Sequence, residues 1–103
     1  MVVKILTSKN FDDFIKTGSV IIDFHAEWCG PCKIVSPIVE ELASEIKDVK
    51  FGKVDVDKEM KLSQRFNIHS IPTLLFFKDN KQEDRVTGAL SKEELQEKVE
   101  EAF

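Results

Sequence analysis

The chain holds two cysteines, Cys29 and Cys32, with only Gly30 and Pro31 between them. Two thiols at this spacing can close a structural disulfide, help to hold a metal, or exchange with another disulfide. As a staple the pair is weak: in the chain-entropy account so small a loop is worth about 2 kcal/mol, against about 4.7 kcal/mol for a 100-residue loop. A closed zinc site needs four ligands, usually Cys and His. His25 and His69 are the only histidines, and no second paired cysteine motif exists. No metal is therefore expected, and thiol chemistry is the reading the surroundings favour.

Those surroundings are a nearly continuous apolar run, Val20-Ile21-Ile22-Asp23-Phe24, before the pair, and a long helical pattern after it. Junctions of this kind gather active sites in open α/β sheets. Pro31 suits the first turn of the helix, where a missing N–H costs nothing. Cys29 then lies at the positive helix end among free N–H donors, which favours thiolate over thiol. Cys32 follows about one turn later on the same face. It is placed to donate to the Cys29 thiolate and afterwards to attack a mixed disulfide.

Four other residues stand out. A carboxylate at Asp23, inside an apolar strand, is costly unless paired or protonated, and burial raises its pKa. It reads either as a satisfied core Asp or as a proton acceptor for a buried thiol. Lys53 falls in phase with Val49 and Phe51, so it sits on a rim or is paired inward. Pro72 reads as a strand-start proline. Trp28 is either a core tryptophan or a half-exposed ring beside Cys29.

Elements must hold these residues in place. Val2 to Leu6 reads as a short strand. Ser8 or Asn10 is placed to cap a helix carrying Phe11, Phe14 and Ile15, with Gly18 at its stop. Val20 to Phe24 has the look of a central strand covered on both faces. Ile34, Val35, Ile38, Val39, Leu42, Ala43 and Ile46 repeat with helical spacing, and Pro37 is expected to kink that helix. Val49 to Val56 is the next strand, followed by a short helix capped by Asp57 and bearing Met60, Leu62 and Phe66, with Asn67 at its end. Thr73 to Phe77 is an apolar strand. Asp79-Asn80-Lys81-Gln82 is turn chemistry, and Glu83 to Gly88 a polar edge strand. The last helix opens on the capping-box pattern Ser91-Lys92-Glu93-Glu94 and buries Leu95, Val99 and Ala102 or Phe103. The order β-α-β-α-β-α-β-β-α implies parallel crossovers, then a hairpin: a mixed sheet with helices on both faces.

The bulk numbers agree. The 103 residues suffice for one domain, 1–103, able to bury roughly 65% of the surface its unfolded form exposes. With 15 basic and 19 acidic side chains, net −4, and no basic patch, nucleic acid and anionic lipid are not the expected partners. No apolar run approaches the roughly 20 residues of a membrane helix, and Met1 to Asn10 lacks the apolar core of a signal peptide. The expectation is a cytoplasmic monomer, in a compartment where thiols are kept reduced.

Trp28-Cys29-Gly30-Pro31-Cys32-Lys33 resembles the active-site signature of the thioredoxin family. The resemblance runs over nearly the whole chain: Asp23-Phe24 precedes the motif, Ile71-Pro72-Thr73 follows it, and Gly88-Ala89-Leu90-Ser91 opens the last helix. It implies the thioredoxin fold, an α/β architecture with a central mixed five-stranded β-sheet flanked by four α-helices and the site at the end of the second strand. By the same resemblance Asp23 is the general base for Cys32, and Lys53 lies near Asp23 and moderates its charge. Pro72 is implied to be cis, to face the cysteines and to keep metals from them. Ile71 is implied to offer its backbone to an extended substrate segment. The resemblance also implies that Trp28, Gly30, Pro31, Ile71, Pro72, Thr87, Gly88 and Ala89 form a flat apolar docking surface. The chain departs from the family in three places: Thr87 is more polar than usual, His69-Ser70 replaces a pair that often ends in glycine, and His25 stands where many members have tryptophan. His25 either titrates near neutral pH and alters the local field or is a packed ring without a catalytic part.

The function these residues imply is reduction of protein disulfides through a reversible Cys29–Cys32 dithiol/disulfide. The implied partners are protein disulfide substrates and a thioredoxin reductase, and no bound cofactor is needed because the dithiol carries the electrons. The alternatives are a glutaredoxin-like, isomerase or oxidase activity on the same fold, or a non-catalytic binding module. Gly30-Pro31 favours the reducing direction.

Overall fold

A computed structural model describes residues 2–103; Met1, the first residue of the expected domain, lies outside them. Nine elements follow in the expected order: β1 (Val3–Ile5), α1 (Phe11–Ile15), β2 (Ser19–His25), α2 (Gly30–Glu45), β3 (Val49–Asp55), α3 (Met60–Arg65), β4 (Thr73–Lys78), β5 (Lys81–Thr87) and α4 (Lys92–Ala102). The sheet order is β1-β3-β2-β4-β5. β1, β3 and β2 run parallel, while β4 is antiparallel to β2 and to β5.

The apolar run that defines β2 places it mid-sheet, with Val20, Ile21, Ile22 and Phe24 all fully buried. Side chains alternate across the pleat. Ile21, Phe51, Leu74 and Phe76 face α2 and α4, packing with Val35, Val39, Leu42 and Leu95. Val20, Ile22, Phe24, Leu75 and Phe77 face α1 and α3, packing with Phe11, Ile15 and Leu62. Asp23 shares the phase of Ile21 and so lies beneath α2. Gly52 in β3 allows Leu6 and Phe14 to close over the opposite face: a Cβ there would meet Leu6 Cδ1 at 2.6 Å.

Several local expectations shift. β1 is shorter than Val2 to Leu6. α2 runs Gly30–Glu45 with Pro37 inside it, one residue short of Ile46. β5 is Lys81–Thr87 rather than Glu83 to Gly88, because the hairpin turn is only Asp79-Asn80, with φ of 47° and 77° at its two residues. Paired positive φ values fit the twist of a tight hairpin. Asp57 does not cap α3, which starts three residues later. Asp55 Oδ1 instead accepts the N–H groups of Asp57 and Lys58 in a local turn, leaving the Asp57 carboxylate free for another partner. The Ser91 capping box on α4 forms as read: Ser91 Oγ accepts from Glu94 N, and Glu94 Oε1 accepts from Ser91 N.

Candidate active site

β2 ends at His25, and Ala26, Glu27 and Trp28 carry the chain to the start of α2. Cys29 is the N-cap of α2, with φ −85° and ψ 113°, and Pro31 lies in the first turn. The Cys32 N–H donates to Cys29 Sγ across 3.2 Å. A backbone donor at a helix N-terminus favours negative charge on its acceptor, here a sulfur. Cys29 and Cys32 are joined as a disulfide, their Cα atoms 5.3 Å apart.

The pair is enclosed. Cys29 is 4% exposed and Cys32 2%, packed with Ala26, Val56 and Ile71. Trp28 goes the other way: it is 70% exposed rather than half-exposed or core. Its indole Nε1–H donates to Asp57 Oδ2 at 2.7 Å, which fastens the ring beside Cys29. Gly30 and Pro31 are exposed as well.

On the other side of the sulfurs stands the β4 entry. Ile71–Pro72 is a cis peptide bond, and Cys29 Sγ lies 3.8 Å from Ile71 O. Gly88 N–H donates to Pro72 O at 2.8 Å, and Thr73 and Thr87 are register partners. The fold therefore brings Ile71 against the cysteines and Thr87 and Gly88 beside the Pro72–Thr73 entry of β4, with exposed Ala89 next along the chain.

Behind the disulfide, Asp23 is 2% exposed. Burial, partly offset by the Ser36 hydroxyl and Lys53, pushes its pKa up to about 7. Ser36 Oγ–H donates to Oδ2 at 3.5 Å, and Oδ1 is buried without a hydrogen-bond partner. Lys53 is opposite Asp23 in the β2–β3 register, but its ammonium lies 3.9 Å from a Glu40 oxygen. Lys53 is thus paired on the rim, with Glu40, and acts on Asp23 only through space. His25 is half-buried, and burial lowers its pKa below the ordinary histidine value despite the opposing pull of Asp55. This direction favours the neutral ring.

Sequence reasoning missed Ser36 and Asp57 as members of the site. Ser36 had a signal, since it is four residues after Cys32 and thus on the same helix face. Asp57 is visible as a polar residue, but its local pattern points to a cap of α3 that it does not make. Among the described residues no cluster of three or more His, Cys, Asp or Glu is placed to hold a metal ion, and no helix is long and apolar enough to cross a membrane.

The thioredoxin family model matches residues 2–101. A thioredoxin of Chlamydia caviae is 47% identical over 93 residues, covering 90% of this chain and 91% of the relative. One from Mycoplasmoides gallisepticum is 47% identical over 96 residues, covering 91% and 96%. Among solved structures, Malassezia sympodialis thioredoxin superposes with a TM-score of 0.88 at 33% identity, covering 97% of this chain and 90% of that one. A mutant thioredoxin of Halobacterium salinarum superposes with 0.89 at 32% identity, covering 97% and 88%.

Proposed function

The chain belongs to the thioredoxin family and is a thiol–disulfide oxidoreductase, and we propose that Cys29 is its attacking sulfur, Cys32 its resolving sulfur and Asp23 its proton acceptor. The family as a whole implies disulfide substrates and a reductase that restores the dithiol.

In the reduced protein the Cys29 thiolate attacks one sulfur of a substrate disulfide. A Cys29–substrate bond forms, the substrate bond breaks, and the departing thiolate takes a proton from solvent. Cys32 then gives its proton to the Asp23 carboxylate, and its thiolate attacks Cys29 Sγ. The Cys29–Cys32 bond forms as the second substrate sulfur leaves. Two electrons have passed to the substrate, and the dithiol alone has carried them, so no bound cofactor is required. An acceptor with a pKa about 7 is matched to this transfer at neutral pH. Lys53 moderates the charge on Asp23.

The observation that carries the reading is the position of Cys29 Sγ: at the N-cap of α2, accepting the Cys32 N–H, and within disulfide reach of Cys32. Docking falls to the surface around it. Exposed Trp28, Gly30 and Pro31 lie on one side, and Ile71, Pro72, Thr87, Gly88 and Ala89 on the other. The Ile71 backbone pairs with an extended substrate segment, and Pro72 shields the sulfurs from metals. We place the protein in the cytoplasm, as a monomeric single domain over residues 1–103, recharged by a thioredoxin reductase and acting on neither nucleic acid nor membrane.

The test is trapping. Cys32→Ser should accumulate a covalent Cys29–substrate disulfide with a protein such as insulin, and the double variant Cys29→Ser, Cys32→Ser should lose all reduction. A double variant that still reduces insulin, or a Cys32→Ser variant that turns over without accumulating adduct, excludes this mechanism.

A further inference from the structure

The two carboxylate oxygens of Asp23 are in unlike circumstances. Oδ2 accepts the Ser36 hydroxyl at 3.5 Å, while Oδ1 is buried and has no partner. Ser36 is one helical turn beyond Cys32 in α2. Both side chains line a single groove, whose wall also includes His25 and Ala26. The charged groups acting on Asp23 come from the two elements packed on it, Lys53 from β3 and Glu40 from α2. They act in opposite senses, Lys53 the more strongly, and lie 3.9 Å apart, so neither is a direct partner of the carboxylate. That leaves the Ser36 hydroxyl as the one direct donor to the carboxylate among the described residues. A donor on one oxygen steadies the ionised form, fixes the rotation of the group, and leaves the other oxygen open.

We propose that Ser36 is a positioning residue for the resolving step: by engaging Asp23 Oδ2 it holds the carboxylate ionised and presents Oδ1 as the atom that receives the Cys32 proton. The balance is complete. Cys32 loses its proton, Asp23 gains it at Oδ1, the Cys32 thiolate displaces the substrate sulfur from Cys29, and the proton on Asp23 passes out to the leaving thiolate or to solvent. This rests on Asp23 being the proton acceptor, and the measurements below separate the two ideas.

Ser36 is a partly exposed helix position, where alanine is a good helix former, so Ser36→Ala keeps the fold. The rate to follow is release of thionitrobenzoate from its mixed disulfide with Cys29, by stopped flow from pH 5 to 9. Alongside it, the Asp23 carboxyl is titrated by carbon NMR in the reduced protein. Without the Ser36 donor both the Asp23 midpoint and the rising limb of resolution should move to higher pH. Resolution should then be about threefold slower at pH 7 and unchanged at pH 9, and Ser36→Thr should restore both. Coincident pH profiles for Ser36→Ala and the parent protein overturn the proposal, as does a slowing that is equal at every pH, which would mark a packing effect. A shifted Asp23 midpoint with an unmoved resolution profile also overturns it, and locates the failure in the role of Asp23 rather than in the Ser36 contact.

Discussion

Asp23 and Lys53 stand opposite each other in the β2–β3 register, yet the Lys53 ammonium lies 3.9 Å from Glu40 and, among the described residues, no direct ion pair neutralises the buried aspartate. The carboxylate therefore carries its burial cost with only a hydroxyl and a moderated field against it. Folded Asp23 holds its proton up to about pH 7, whereas an unfolded aspartate releases it near 3.8. Between those values the native state binds more protons than the unfolded state, so stability falls as pH rises from about 4 to about 7 and levels off above. Asp23→Asn should remove this slope. By urea unfolding it should be more stable than the parent by about 4 kcal/mol at pH 8, and no more stable at pH 3. Equal stabilities at pH 8 would show that the carboxylate is not held in a costly state.

Lys53 lowers the Asp23 pKa through space. Replacing it with methionine keeps the apolar stem and removes the charge. The Asp23 midpoint in Lys53→Met should move further up, and the rising limb of resolution with it. The same carboxyl titration checks this, and an unmoved midpoint would leave Lys53 with only its rim pairing to Glu40.

Trp28 is 70% exposed, so its truncation should cost little stability, within about 1 kcal/mol. The role proposed for it is docking. Trp28→Ala should raise the KM for insulin about fivefold while leaving the reduction of a small aromatic disulfide nearly unchanged, because only a protein spans the surface from Trp28 to Ala89. Asp57→Ala, which frees the indole from its 2.7 Å hydrogen bond, should show a weaker form of the same split. Parallel losses on both substrates would mean that Trp28 acts on the sulfurs and not on the partner.

What was legible in the sequence was whatever has a local or periodic cause. The apolar run Val20 to Phe24 marks a strand covered on both faces, the Ile34 to Ile46 spacing marks α2, and Ser91 with Glu94 marks the start of α4. Cys29, Cys32 and Asp23 were legible because their residue types are improbable where they stand unless they do chemistry. What escaped depends on distant partners. Ser36 meets Asp23 across 13 positions, and Arg85 meets Phe66 across 19. The cap expected at Asp57 does not form because α3 begins only at Met60, and Asp55 organises the turn before it by accepting the Asp57 and Lys58 N–H groups. Trp28 was misplaced because nothing local says whether a large ring faces inward.

Gly52 is such a long-range effect, with no turn or positive φ to announce it. A Cβ there would lie 2.6 Å from Leu6 Cδ1 and 3.0 Å from the Phe14 ring. Gly52→Ala should destabilise by about 1–3 kcal/mol, the usual cost of overpacking a closed core, and lower the melting temperature accordingly. Turnover per folded molecule should be unchanged, since Leu6 and Phe14 pack on the side of the sheet away from Asp23. An unchanged melting temperature would mean that Leu6 swings aside freely.

Arg85 ties the edge strand to the segment that leads into the site. It pairs with Leu75 in the β4–β5 register, and its guanidinium donates to Phe66 O and, at 3.1 Å, to Asn67 O. These are carbonyls at the C-terminal end of α3, which have no partner within the helix. Asn67 has already turned to φ 54°, so the helix cannot continue and satisfy them itself. A cation at this end is also favoured by the helix dipole. From Asn67 the chain runs through Ile68, His69 and Ser70 to Ile71, whose carbonyl lies 3.8 Å from Cys29 Sγ. Arg85→Met keeps the stem and loses both hydrogen bonds, at a cost of about 1–2 kcal/mol, or about 5–10 °C in melting temperature for a domain of this size. Arg85→Lys should recover less than half, because an ammonium is a point donor and cannot reproduce the fork that spans two carbonyls. Hydrogen exchange should distinguish a local from a global effect: amides from Asn67 to Ser70 should exchange faster in Arg85→Met at temperatures where β2 remains protected. Uniformly faster exchange across β2 and this segment would mean that Arg85 stabilises the whole fold and does not specifically restrain the approach to Ile71.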